Sequence, residues 1–226
     1  MLTTYVKIVY RGVRSRNKGP YTLDISCIIL AGGKSLRLGH DKIFEKVGNT
    51  SLLEKVISRL DSLGKDIILV TAKQRTFTQL VGQPKVKIIS DIFPGRGSLG
   101  GIYTGLVKSD SFYNLVLAAD MPFLNESLLR YMIEVSDGYD FVLPRINNLY
   151  EPLHAVYSKN CITPIESIFN QGKRVIIELF NYVKVRFIDA DEVDRFDPQH
   201  LSFFNINTKE DLEKAKQIAE GASDLC

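Results

Sequence analysis

The sequence predicts an α/β fold: a mostly parallel, mixed sheet with helices on both faces. Three observations predict it. Short apolar runs at 27–30, 67–70, 86–89 and 115–119 lack the in-out alternation of half-exposed strands, so they read as strands buried on both faces. Stretches with helical periodicity fall between them. The first run breaks directly into Gly32-Gly33, at the strand end where sheets of this kind bind ligands.

Each element has its own signal. Ser51 and Glu54 have capping-box spacing, and Leu52, Leu53, Val56, Ile57, Leu60 and Leu63 follow at helical intervals until Gly64. A weaker helical stretch is expected near 76–80 and a stronger one over 99–107. Past Asp120 the pattern changes. Asn125 caps a helix reaching about Val135, 141–143 reads as a strand, and Asn147-Asn148 is a hairpin turn. The strand returning over 153–157 makes part of the sheet antiparallel. Helical stretches at 163–170 and 175–182 precede a strand over 183–188. Thr208 then caps a closing helix with Leu212, Ala215, Ile218 and Ala219 on one face.

Composition narrows the function. With 45% hydrophobic and 24% charged residues, the chain is that of an ordinary globular protein, and no apolar run approaches a membrane span. The net charge of +3 is carried by the first residues: Lys7, Arg11, Arg14, Arg16 and Lys18 precede any acid. Without those five, 24 basic face 26 acidic residues, which argues against nucleic acid as a partner. Residues 1–24 read as a basic extension with an unstructured connector, and 25–226 as a single domain. Cys27, Cys161 and Cys226 form no C-x-x-C pair, and the three histidines are dispersed. Neither zinc nor a disulfide framework is expected, and a reducing cytoplasm fits.

Within Leu30-Ala31-Gly32-Gly33, glycines let backbone N–H groups approach an anion, and Lys34, Arg37 and Lys42 follow to neutralise it. A P-loop would need glycine where Ile28 stands. Gly95-Arg-Gly97-Ser-Leu-Gly100 spells a dinucleotide fingerprint, but Asp91-Ile-Phe-Pro separates it from its strand. A nucleoside triphosphate on the first loop remains. The strand-end rule then adds Thr71, Asp91 and Asp120 to the same rim.

Residues 30–42 resemble the L-A-G-G-x-S-x-R-M-G-x-x-K signature of nucleotidyltransferases, most closely that of the molybdenum cofactor guanylyltransferases. Gly97-Ser-Leu-Gly-Gly101 is similar to that family's G-P-L-A-G, and Ala119-Asp-Met-Pro-Phe123 to its C-D-M-P-F. Glu151-Pro-Leu153 matches E-P-L, and residues 204–212 resemble F-N-[IV]-N-T-P-E-D-L. The similarity runs in order from Ser26 to Ala219.

The resemblance implies a Rossmann-like nucleotidyltransferase fold and transfer of GMP from GTP to the phosphate of Mo-molybdopterin, releasing pyrophosphate. It implies nucleotide contacts at Leu30, Ala31, Gly32, Gly33, Lys42, Thr71, Asp91, Gly97 and Asp120, and pterin contacts at Asn205 and Asn207. Arg37, Lys42 and Asp120 would be catalytic, with Asp120 holding Mg²⁺ against phosphate oxygens. A carboxylate at Asp91 can accept the N1–H and N2–H of guanine, whereas cytosine presents a bare N3 acceptor. Asn205 and Asn207 have the period-two spacing that points both amides to one face of a strand. Further expected partners are other molybdenum cofactor biosynthesis proteins and molybdoenzyme chaperones. Thr71 replaces an asparagine of some members, and Ser98 and Gly100 replace the Pro and Ala of G-P-L-A-G, which should loosen that loop. Arg37 and Lys42 are one residue closer together than in some members. The alternatives are CTP with the pterin, an NTP with a sugar phosphate, or a nucleotide-binding module without turnover.

Overall fold

The structure, a computed structural model, describes residues 24–32, 42–63, 66–72, 77 and 85–223. The basic extension, Gly33, Lys34, Arg37 and the helix expected near 76–80, apart from Phe77, lie outside the described residues.

The four apolar runs form parallel strands: β1 (Ile25–Leu30), β4 (Ile67–Thr71), β5 (Val86–Ser90) and β6 (Tyr113–Ala118). They belong to an eight-stranded sheet that adds β7 (Phe141–Ile146), β8 (Leu149–Tyr150), β9 (His154–Ser158) and β10 (Val185–Asp189). The order is β10-β7-β9-β6-β1-β4-β5, with β8 paired to β7. β9 runs antiparallel to β6 and β7, and β10 parallel to β7. A second, two-stranded sheet pairs β2 (Lys46–Val47) with β3 (Thr50–Ser51).

Alternate residues of β1 enter two cores. Ile25, Cys27 and Ile29 pack with α1 (Leu52–Leu60) and α3 (Glu126–Glu134). Ile28 packs with α2 (Ser98–Lys108) and α4 (Ile162–Asn170) on the opposite face. These are the two covered faces that unalternating strands require. α1 begins at Ser51 with both arms of the capping box in place, and Asn125 caps α3 by accepting from Leu128 N–H. At the hairpin, Asn147 and Asn148 have φ of 50° and 61°. This is the left-handed pair that a two-residue turn between twisted strands demands.

Three features differ from expectation. β5 stands last in the sheet order and is not buried on both faces: Lys87 and Ile88 are exposed. The stretch expected as a helix over 175–182 is 3₁₀, Ile176–Asn181. Phe204 to Asn207 forms no strand; it is coil after the 3₁₀ turn Leu201–Phe203, leading into α6 (Lys209–Ser223). Sheet hydrogen bonds are replaced there by Ile206 N–H donating to the Asp120 carbonyl at 3.1 Å. The β2–β3 hairpin and the short helix α5 (Ala190–Asp194) carried no periodic signal, because their segments are too short to show one.

Candidate active site

Parallel register brings four strand ends to one edge. Leu30 is level with Val70 on one side and Ala118 on the other, and Thr71 is level with Ser90. Backbone bonds extend the ladder past the strands. Ala31 N–H donates to Val70 O at 2.9 Å, Ala119 N–H to Leu30 O at 3.2 Å, and Asp91 N–H to Thr71 O at 2.7 Å. The chain passes from β1 to β4 and β5 on one side, then returns to place β6 on the other, so the strand order reverses at β1. A cleft of about 850 Å³ opens at this switch point.

The structure brings Leu30, Ala31, Gly32, Lys42, Thr71 and Asp91 to the cleft, with Gly97, Asp120, Asn205 and Asn207. Gly33 and Arg37 lie outside the described residues. The N-terminus of α2 opens on the cleft at Gly97 and Ser98, so the positive end of its dipole favours an anion there. Gly97 has φ of 64°, a left-handed conformation that only glycine adopts without strain.

Lys42 joins the two walls of the cleft. Its ammonium donates to Asp120 Oδ2 at 2.6 Å, to Ile206 O at 2.9 Å and to Asn207 Oδ1 at 3.0 Å. Both members of the Lys42–Asp120 pair are largely buried, with side-chain exposures of 14% and 17%, so solvent screens the pair little. The spacing of Asn205 and Asn207 works without a strand. Ile206 between them is fully buried against Val47, Leu52, Leu212 and Ala215, which leaves both flanking asparagines at the cleft.

The loop after β5 packs closely on α2 beside Gly100. A Cβ at Gly100 would come within 2.8 Å of Phe93 O, so glycine lets the loop close directly onto α2. The Phe93 ring packs edge-on to Tyr103, with centroids 5.1 Å apart, and against Phe169 at 5.4 Å. α2 in turn sits close on β1: a Cβ at Gly105 would meet Ile28 at 2.5 Å, and one at Gly101 would meet Leu30 at 3.1 Å.

Arg174 escaped the sequence reading. It lines the cleft from the turn after α4, where Gly172 takes φ of 73°. Among the described lining residues, Lys42 and Arg174 are the two cations. Nothing in its local spacing marks Arg174, since a basic residue after a helix is usually solvated surface.

The MobA-like NTP transferase domain matches residues 27–185. A molybdenum cofactor guanylyltransferase of Desulfosudis oleivorans is 37% identical over 194 residues, which are 85% of this chain and 94% of that protein. A probable molybdenum cofactor guanylyltransferase of Pelotomaculum thermopropionicum is 34% identical over 200 residues, covering 88% and 96%. Among solved structures, molybdopterin-guanine dinucleotide biosynthesis protein A from Archaeoglobus fulgidus matches with a TM-score of 0.75 at 27% identity, covering 87% of this chain and 99% of that one. The chain belongs to the molybdenum cofactor guanylyltransferase family, within the MobA-like NTP transferases.

Proposed function

We propose that the protein transfers GMP from GTP to the phosphate of Mo-molybdopterin and releases pyrophosphate. The observation that carries this reading is Lys42, whose ammonium links Asp120, just past β6, to Asn207 on the coil before α6, all three lining one cleft. Family membership and the relatives' guanylyltransferase names support the same chemistry.

GTP's phosphates would lie over Gly32, between Lys42 and the N-terminus of α2, with the base toward Asp91. Asn205 and Asn207 would offer amide donors and acceptors to the pterin, and Arg174 a cation for an anionic group. The pterin phosphate is already ionised at neutral pH, so it attacks the α-phosphorus without a general base. Lys42 and Arg37 would neutralise the departing pyrophosphate, so catalysis is positioning plus charge stabilisation.

The donor set at Asp120 suits Mg²⁺ that enters with the nucleotide. Among the described residues no cluster of three metal-ligating side chains exists, and Mg²⁺ commonly takes one or two carboxylates plus substrate phosphates. When bound, it would supply Lewis-acid polarisation of the phosphates. Asp120 would hold the ion, and Lys42 would contact phosphate oxygens. Among the described residues no helix is long and apolar enough to cross a membrane, and we place the reaction in the cytoplasm with the pathway's other proteins as partners.

Binding of GTP, CTP, ATP and UTP compared in the presence of Mg²⁺ tests the reading. GTP should bind at least tenfold tighter than the others, a difference of about 1.4 kcal/mol. Equal or better binding of CTP would overturn the guanylyl assignment.

A further inference from the structure

Asp91 meets the cleft with its two oxygens in unequal states. Oδ1 accepts Phe93 N–H at 2.9 Å and Thr104 Oγ1–H at 2.8 Å. Two donors fill the lone pairs of one carboxylate oxygen. Oδ2 makes no hydrogen bond to the described residues, and Gly100 keeps space beside it, because a Cβ there would stand 3.3 Å away.

Thr104 is fully buried on α2, and its hydroxyl closes a three-way junction. It accepts Ile92 N–H at 3.1 Å, and its single proton lies within reach of Asp91 Oδ1 at 2.8 Å and Gly100 O at 2.9 Å. A carboxylate is a stronger acceptor than an amide carbonyl, so the proton favours Asp91. The seating of α2 on Ile28 and Leu30 through Gly105 and Gly101 fixes where that hydroxyl stands. The side chain that fixes the carboxylate's rotation is therefore itself anchored to the central strand.

We propose that Thr104 is a positioning residue for base selection: it holds Asp91 by Oδ1 so that Oδ2 alone is left to accept the N–H edge of guanine. This rests on Asp91 reading the base. Adenine presents a bare N1 acceptor at the equivalent place and meets the same fixed oxygen as repulsion. Without the Thr104 bond Oδ1 keeps only the Phe93 N–H, so Asp91 is held less firmly, and affinity for guanine and rejection of adenine fall together. A role in folding alone would instead weaken GTP and ATP equally.

The test measures GTP and ATP affinity, and steady-state KM and kcat with GTP, for the full chain and for Thr104→Val, Thr104→Ser and Asp91→Ala. Thr104→Val should weaken GTP binding about tenfold, the scale of one hydrogen bond to a charged group, and lower the GTP-to-ATP ratio in step. Its KM for GTP should rise with kcat within about twofold, and Thr104→Ser should restore both ratio and KM, because it keeps the hydroxyl. If Asp91→Ala collapses the ratio while Thr104→Val leaves it intact, or Thr104→Ser fails to rescue, the positioning role is wrong and the Asp91 reading stands. If Asp91→Ala leaves the ratio unchanged, the base-reading assignment itself falls, and Thr104's role with it.

Discussion

The wall proposed to hold the nucleotide hangs from the ends of four parallel strands, whereas the wall proposed to hold the pterin is coil held by one buried side chain and a few backbone bonds. On the first, Thr71 ends a strand and Gly32, Asp91 and Asp120 follow strands, all with register set by continuous ladders. On the second, Asn205 and Asn207 depend on Ile206 seated among Val47, Leu52 and Leu212. Sheet geometry spreads the cost of any single change over many bonds. A plug residue concentrates it. The two walls should therefore respond differently to substitution, with Lys42 responding as part of both.

The largest effect should follow loss of that shared residue. Lys42→Ala removes the partner of Asp120, Ile206 O and Asn207 together, and a cation from the departing phosphates. Turnover should fall by about 10²–10³-fold, the scale of losing one preorganised electrostatic group. A rate within about threefold of the parent would remove Lys42 from the chemistry.

Ile206→Ala breaks the plug. Deleting a fully buried isoleucine costs about 2–5 kcal/mol, readable as a lower denaturation midpoint. The comparison is sharpened by kinetics on the folded fraction: KM for the pterin should rise several-fold while GTP affinity stays within about twofold. Equal losses on both substrates would mean that the walls are not separable.

Acid should also act through one region. His154 on β9 is fully buried, neither ring nitrogen has a hydrogen-bond partner among the described residues, and its ring lies 4.9 Å from that of Phe203. Burial pushes its pKa down to about 4, against an opposing pull from Asp197. The native state thus binds fewer protons than the unfolded chain between the ordinary value of 6.5 and about 4. Its contribution is complete above pH 6.5 and lost as pH falls through about 4, up to ~3 kcal/mol. His154→Leu should flatten that part of the stability profile. An unchanged slope would show that other groups set it.

Much of the first wall was legible in the sequence because each part has a local cause. The Ser51–Glu54 box of the helix under β1 and the apolar strand runs each declare themselves within a few residues, as the Asn147-Asn148 turn does elsewhere in the fold. Once the strands were parallel, their ends had to share an edge. The second wall was legible in its residues but not in its shape. Period-two spacing suggested a strand at 205–207, where tertiary burial of Ile206 produces the same outward amides without one. The contacts joining the walls were not legible at all. Lys42 meets Asp120 across 78 residues and Asn207 across 165, and Thr104 reaches Asp91 from a different element. Local periodicity carries no information about pairs of that kind.

The most direct test of a cleft with two substrate walls is pyrophosphate release with GTP, Mg²⁺ and Mo-molybdopterin, set against reactions lacking either substrate. The account predicts pyrophosphate and the guanine dinucleotide in equal amounts only when both substrates are present, with CTP a poor substitute for GTP. Pyrophosphate released from GTP alone at the same rate, or none released with both substrates present, would contradict it.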